Sequence, residues 1–110
     1  MTEHIENQVM NFLGLCMRAG RIISGQEACV DLIRQEEAAL VLMDGAASEN
    51  TKKRITDACH THNVPMWTLS ENALGHAIGK RGRMVVAMKA DGMAQKILSL
   101  LEGESGLKES

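Results

Sequence analysis

The sequence predicts a three-layer α/β/α sandwich with a mixed sheet of about four strands. Helical apolar patterns alternate with short apolar runs, and the connections between them are only a few residues long. No internal repeat or long linker interrupts this alternation. With 110 residues, 45% of them hydrophobic, we expect one domain over residues 1–102 and a frayed tail over residues 103–110.

The N-terminal segment predicts a helix followed by a short strand. Apolar residues from Ile5 to Cys16 have helical spacing and predict a helix from about Glu3 to Ala19, and Gly20 is placed to end this helix in a left-handed conformation. Residues 21–23 then form a short β-branched segment. The first helix is therefore expected to stop before the first strand of the sheet.

The next segment predicts a second helix and a buried strand. Ser24 and Glu27 have the spacing of an S-x-x-E capping box, so the helix should start at Gly25. The buried face of this helix is expected to consist of Cys29, Val30, Leu32 and Ile33. The continuous apolar run Ala38 to Met43 predicts a strand in the interior of the sheet.

The middle of the chain predicts a third helix and an edge strand. Ser48 can cap a helix because its hydroxyl can accept a backbone N–H. The inward face of that helix is expected to carry Ile55, Ala58, Cys59 and His62. The run Val64 to Leu69 contains Pro65, which lacks an amide donor and therefore favours an edge position.

The C-terminal third predicts two helices around one strand. Ser70 is expected to cap a short helix from Glu71 to Ile78, which Gly79 ends. Residues 84–88 predict a strand, and residues 93–101 predict a last amphipathic helix.

Composition restricts the possible functions. The net charge of −2 argues against nucleic-acid binding through overall charge, so any such binding requires a local patch. One Phe, one Trp and no Tyr leave few platforms for stacking unpaired bases. Three scattered cysteines without a CxxC pair predict a reducing compartment, and the acidic N-terminus predicts no signal peptide. We therefore expect a cytoplasmic monomer without membrane association.

Metal and enzyme sites are disfavoured by the sequence. Cys59, His60 and His62 lie close together, but no second ligand pair has useful spacing, so a buried cysteine beside partly exposed histidines is the favoured interpretation. No P-loop, nucleophile elbow or H-E-x-x-H motif is present. We expect no catalytic activity, no metal and no cofactor.

A cationic glycine loop is the most informative feature of the chain. This loop, residues 80–83 and hereafter the basic loop, lies between the predicted fourth helix and the strand that follows. In it, Lys80, Arg81 and Arg83 surround Gly82. The glycine allows backbone to approach a ligand closely, and the three cations favour phosphate. The alternative interpretation is a solvated basic turn, which is common on protein surfaces.

The predicted start of the second helix is a second candidate site. Gly25, Gln26 and Glu27 occupy its first turn, where free amides and the positive end of the helix dipole attract anions. Glu27 has two possible roles, since it can cap the helix or accept hydrogen bonds from base edges. In such sheets ligands gather at strand ends, so the loops at Ser24 and Asp44 and the basic loop are expected to share a surface.

Two long segments together resemble a known family. They are GLCMRAGRIISGQEACVDLIRQEEAALVLMDGAAS and NVPMWTLSENALGHAIGKRGRMVVAM. With the spacing between them, they resemble the kink-turn-binding ribosomal proteins of the L7Ae/L30e type, especially its short bacterial members. The resemblance implies an α/β/α sandwich that binds kink-turn RNA, a sharply bent duplex with tandem sheared G·A pairs, and that has no catalytic activity.

The resemblance also implies a set of RNA-binding residues. The start of the second helix would read guanines, and the basic loop would contact looped-out nucleotides. The implied residues are Arg21, Gly25, Gln26, Glu27, Ala28, Asp31, Lys52, Ile78, Gly79, Lys80, Arg81, Gly82 and Arg83.

The chain departs from the family pattern in the second helix. The family has Asn or Lys, then Glu, Gln or Ser, then Lys three residues later. Aligned through Gly25, these places hold Glu27, Ala28 and Asp31. A shift of one residue makes Gln26 and Glu27 the polar pair, but Val30 then occupies the lysine position.

Two functions follow as expectations. The first is a non-catalytic protein that recognises kink-turn-like RNA, ribosomal or otherwise structured, and not DNA. The second is a protein-interaction module that retains the fold with weak or no RNA binding.

Overall fold

The computed structural model of the chain describes residues 2–102. The predicted frayed tail, residues 103–110, lies outside the described residues. The described elements are α1 (Glu3–Arg18), β1 (Ile23–Ser24), α2 (Gln26–Arg34), β2 (Ala38–Asp44), α3 (Glu49–Thr61), β3 (Met66–Leu69), α4 (Ala73–Ile78), β4 (Val85–Lys89) and α5 (Gly92–Glu102). Helices and strands alternate along the chain, as predicted.

The four described strands form one mixed sheet in the order β1-β4-β2-β3. β2 and β3 are parallel, whereas β4 is antiparallel to both β1 and β2. The interior position of β2 and the edge position of β3 were both predicted. Pro65 directly precedes β3, and its carbonyl accepts a hydrogen bond from the Val41 N–H at 3.0 Å.

Helices cover both faces of the sheet, which gives the predicted three layers. Because side chains alternate along a strand, Leu40 and Leu42 of β2 pack against α1, α4 and α5. The intervening residues Val41 and Met43 pack against α2 and α3. The fold class predicted from the sequence is therefore confirmed.

Most helix ends follow the local rules from which they were predicted. Gly20 has φ +73° directly after the last turn of α1, and Gly79 has φ +72° at the end of α4. The Ser48 hydroxyl accepts the Thr51 N–H at 3.2 Å at the start of α3. The buried face predicted for α2 is also confirmed, since all four of its residues are buried.

The predicted capping box at the start of α2 is wrong. Ser24 belongs to β1 and pairs with Val86, and Gly25 is the N-cap residue, with φ +101° and no side-chain cap. Glu27 is therefore the second residue of the helix, and its carboxylate binds Arg54 instead of the helix start. The strand also begins later than predicted, at Ile23, because its pairing with β4 begins there.

The predicted start of α4 is also wrong. The helix begins at Ala73 after Asn72, and Ser70 does not cap it. Instead the Ser70 hydroxyl donates to the Glu6 carboxylate at 3.0 Å. The N–H groups of the N-cap residue Asn72 and of Leu74 donate to the Asp44 carboxylate. Met84 lies outside β4, which starts at Val85.

Candidate functional site

The loops at Ser24 and Asp44 and the basic loop lie at one end of the sheet. The register pairs Met43 with Val85 and Asp44 with Leu69, so β2 and β3 end where β4 begins. β1 ends at the same level, because Ser24 pairs with Val86. The starts of α2, α3 and α4 therefore surround the loop between α4 and β4.

The basic loop between α4 and β4 is exposed and tightly turned. Gly79 and Gly82 have φ +72° and +78°, conformations that side chains with a Cβ rarely adopt. The Lys80 N–H donates to the Gly75 carbonyl at 3.0 Å, which ties the loop to α4. A Cβ on Gly75 would lie 2.9 Å from the Lys80 carbonyl oxygen, so this close approach requires glycine.

The cations of the basic loop are available to a ligand. Lys80, Arg81 and Arg83 are all exposed. Within residues 2–102, no carboxylate lies close enough to form a salt bridge with any of them. Among the described residues, no acidic side chain therefore neutralises their positive charge.

The start of α2 lies directly beside the basic loop. A Cβ on Gly25 would be 2.8 Å from Nη1 of Arg83, so the guanidinium packs over this glycine. The Gly25 N–H donates to the Val85 carbonyl at 3.0 Å, and the Cys29 N–H donates to the Gly25 carbonyl at 3.0 Å. The uncapped end of α2, with its positive dipole, and the Arg83 cation therefore face the same space.

Side chains from α3 contact the first turn of α2. The Thr51 hydroxyl donates to Oε1 of Gln26 at 2.7 Å. Arg54 binds Glu27 through two hydrogen bonds, one of them 3.0 Å from Nη2 to Oε1. The hydrogen bond from Arg54 lowers the pKa of the Glu27 carboxyl and raises that of the guanidinium. Glu27 is thus ionised and engaged, although its side chain is 71% exposed.

Two hollows lie beside the basic loop. The smaller, of about 270 Å³, lies between the starts of α2 and α3 and the loop. The larger, of about 780 Å³, lies between α4 and the loop, and its wall includes Asn72, His76 and Arg81. Gly82 and Met84 line both hollows, and the two hollows together are hereafter the groove.

The other predicted residues occupy three different positions. Ala28 and Asp31 are exposed on α2, and Lys52 on α3 lies 3.9 Å from the Glu49 carboxylate. Ile78 is buried, and it belongs to the core cluster that also contains residues of α1 and α5. Arg21 precedes β1 and lies toward the opposite end of the sheet, 3.9 Å from Asp91. The structure does not bring Arg21 to the groove.

Sequence reasoning missed several residues around the groove. Thr51 and Arg54 bind Gln26 and Glu27 from more than 20 positions away, and no local pattern indicates such pairing. Asp44 was assigned only to a loop, yet it is fully buried. The available signal was its position as the one charged residue directly after the apolar run of β2.

Metal binding and membrane insertion receive no support from the described residues. Across residues 2–102, no cluster of three or more His, Cys, Asp or Glu is arranged to hold a metal ion. Burial raises the pKa of Cys29 to about 12 and of Cys59 to about 11, so both thiols are protonated at neutral pH. No helix in this range is long and apolar enough to cross a bilayer.

The chain and its fold match a known class of protein. Residues 7–98 match the model of the "Ribosomal protein L7Ae/L30e/S12e/Gadd45 family", and the chain belongs to this family. Members of the family are non-catalytic, which confirms the prediction that the chain is not an enzyme. The family resemblance predicted from the sequence is likewise confirmed.

Two bacterial proteins named "RNA-binding protein YlxQ" are similar to the chain over most of their length. The protein from Bacillus subtilis is 43% identical over 91 residues, which cover 82% of this chain and 91% of that protein. The protein from Enterococcus faecium is 40% identical over 104 residues, which cover 94% and 100%. Similarity to short bacterial members was also predicted.

Solved structures share the fold. A protein of unknown function from Bacillus halodurans superposes with a TM-score of 0.79 at 30% identity, covering 86% of this chain and 97% of that one. The 15.5kD RNA binding protein of Giardia lamblia gives a TM-score of 0.74, covering 94% and 92%. At 18% identity, the second likeness shows the fold alone.

Proposed function

We propose that this protein binds structured RNA, and specifically a kink-turn-like bend, through the groove around the basic loop. The observation that carries the proposal is the position of Arg83 directly over Gly25 at the start of α2. This contact places the Arg83 cation beside the helix start, and Lys80 and Arg81 belong to the same exposed loop. The similar proteins from Bacillus subtilis and Enterococcus faecium are both named as RNA-binding.

The electrostatics favour a sharply bent target over a straight one. The chain carries a net charge of −2, so general attraction to nucleic acid is weak. The cations are concentrated in four residues, where they can contact phosphates that a kink brings close together. The uncapped amides of α2 supply further donors to backbone phosphate. We expect the RNA to be ribosomal or ribosome-associated, as the name of the family indicates.

Glu27 is the residue expected to read bases. A carboxylate can accept hydrogen bonds from base amino and imino groups. Its present partner is Arg54, and both side chains are partly exposed, so the pair can separate or rotate at small cost. Arg54 would then be free to contact phosphate while Glu27 contacts a guanine.

The decisive experiment compares two RNAs of equal length. A kink-turn RNA and a matched straight duplex are titrated against the protein at two salt concentrations. The proposal predicts tighter binding of the kink-turn at both concentrations. Equal and feeble binding to both RNAs would contradict it.

A second candidate function is a protein-interaction module with the same fold. The Glu27–Arg54 pair favours it, because in the free protein this pair occupies the carboxylate that would read RNA. Ala28 and Asp31 also present an uncharged and an acidic residue on the same helix. Capture of partners from lysate with and without nuclease treatment distinguishes the two functions. Partners that persist after nuclease favour the interaction module, and partners that disappear favour RNA binding.

A further inference from the structure

Asp44 is a buried charge at the end of the central strand. It is the last residue of β2 and the only charged side chain that is fully buried within residues 2–102. Burial of a carboxylate is costly unless hydrogen bonds replace the lost water. The partners of Asp44 therefore indicate what this residue does.

Three backbone amides donate to the Asp44 carboxylate. The Ala46 N–H donates to Oδ1 at 2.8 Å, within the loop that follows β2. The Asn72 N–H also donates to Oδ1 at 2.8 Å, and the Leu74 N–H donates to Oδ2 at 3.0 Å. Asn72 is the N-cap residue of α4 and Leu74 lies in its first turn, and the Asn72 side chain does not cap the helix. Asp44 thus supplies the missing cap from a different element, 28 and 30 residues away.

The main chain of Asp44 holds the other end of the same segment. Its N–H donates to the Met84 carbonyl at 2.8 Å, directly after the basic loop. The segment from residue 72 to residue 84, which contains α4 and the basic loop, is therefore attached to Asp44 at both ends.

We propose that Asp44 is a positioning residue for the basic loop, holding Lys80, Arg81 and Arg83 beside the start of α2. This inference rests on the proposed function, because the position of the loop has consequence only if it contacts RNA. The carboxylate is essential to the arrangement, since every polar partner of the side chain is a donor. An amide in its place would direct an N–H₂ group at one of these donors and leave that amide unpaired.

The test uses Asp44→Asn, which preserves side-chain shape, with Ile97→Val as control. Ile97 is fully buried in α5, outside the segment at residues 72–84, and the substitution removes one methylene without changing any hydrogen bond of Asp44. Both variants are first checked for folding by circular dichroism. Amide hydrogen exchange is then measured on the free protein, and binding is measured with the kink-turn RNA and the straight duplex.

The two variants are expected to differ in amide exchange and in selectivity for the kink-turn RNA. In Asp44→Asn, the Leu74 amide should exchange about tenfold faster than in the wild type, and kink-turn affinity should fall about tenfold. Affinity for the straight duplex should stay within about twofold, because every cation remains present. Ile97→Val should leave the ratio of the two affinities unchanged. Unchanged exchange together with unchanged selectivity in Asp44→Asn would overturn the inference.

The wild-type protein provides a second measurement that does not depend on whether the variant folds. First-turn amides of a helix usually exchange quickly because they lack partners. The Leu74 amide should instead exchange as slowly as the amides of β2, and fast exchange at Leu74 would also overturn the inference. If the wild type does not prefer the kink-turn RNA, the proposed function fails. The exchange data then still decide whether Asp44 holds this segment.

Discussion

Arg81 and Lys53 are both exposed cations, but only one of them has an acidic neighbour. Lys53 lies 3.3 Å from the Asp57 carboxylate on α3, whereas Arg81 has no such partner among residues 2–102. Removal of a cation that contacts phosphate lowers the salt dependence of binding by about one counterion. The two positions therefore provide a matched pair for testing where RNA binds.

We expect Arg81→Ala to weaken kink-turn binding and to reduce the slope of log affinity against log salt by about 0.9. Lys53→Ala should leave both quantities unchanged. Affinities measured at four or more salt concentrations provide the slopes. Equal effects of the two substitutions would show that the basic loop is not the phosphate contact.

Glu27 shows what sequence rules predict at the residue scale and what they miss. Its position three residues after Ser24 matched a capping box, and its exposure in the first turn of α2 agrees with that expectation. Its actual partner is Arg54 on another helix, 27 positions away. Local spacing identifies residues that can cap, but the choice between a cap and an ion pair depends on which helix packs alongside.

Gly75 shows how α4 and the basic loop act as one element. We expect Gly75→Ala to lower the free energy of unfolding by about 1–2 kcal/mol, because the added methyl would lie 2.9 Å from the Lys80 carbonyl oxygen. The gain in helix propensity, about 1 kcal/mol, offsets only part of this cost. Urea denaturation provides the measurement.

Gly92→Ala is the control for this substitution. Gly92 also lies in a helix, but a Cβ there would meet no atom within 4 Å. Its free energy of unfolding should stay equal or rise by less than about 1 kcal/mol. A Gly75→Ala protein as stable as Gly92→Ala would contradict the close contact between α4 and the loop.

The elements themselves were largely predictable, and the exceptions share a cause. Hydrophobic periodicity predicted α1, β2 and α3 because their burial pattern is regular along the chain. The start of α4 was predicted wrongly at Glu71, with Ser70 as its cap, because the cap comes from Asp44 at the end of β2. Ser70 instead binds Glu6 of α1. Helix propensity and capping rules consider one segment of the chain alone. They cannot include hydrogen-bond partners that tertiary packing brings from other segments.

At the scale of the whole molecule, we expect a monomer in solution, because the described surface exposes few large hydrophobic side chains. Among residues 2–102, Leu15 is the only large hydrophobic side chain that is exposed, at 47%. A stable dimer usually buries about 1,200–2,000 Å² in total with an apolar centre. We expect light scattering to give a mass near 12.0 kDa over a dilution series. A mass near twice this value at every dilution would contradict the expectation.

The strand order was the part of the architecture that the sequence could not determine. Alternating elements predicted the layers and a mixed sheet, but the insertion of β4 between β1 and β2 depends on pairing between distant segments. That insertion places Val86 opposite Ser24, and so brings Arg83 to Gly25. Some residues of the candidate groove could therefore be predicted from the sequence, but their positions relative to one another could not.

The two ends of α4 give this short helix an unusual constraint. Asn72 before it and Gly79 after it both have left-handed backbones, so neither end can extend by a residue without losing its turn. The six residues of α4 rise about 9 Å along the helix axis. One residue more or less would rotate the basic loop by about 100° about that axis. The helix thus acts as a spacer of fixed length. Insertions and deletions between residues 72 and 79 should be absent from homologues that retain the same ligand.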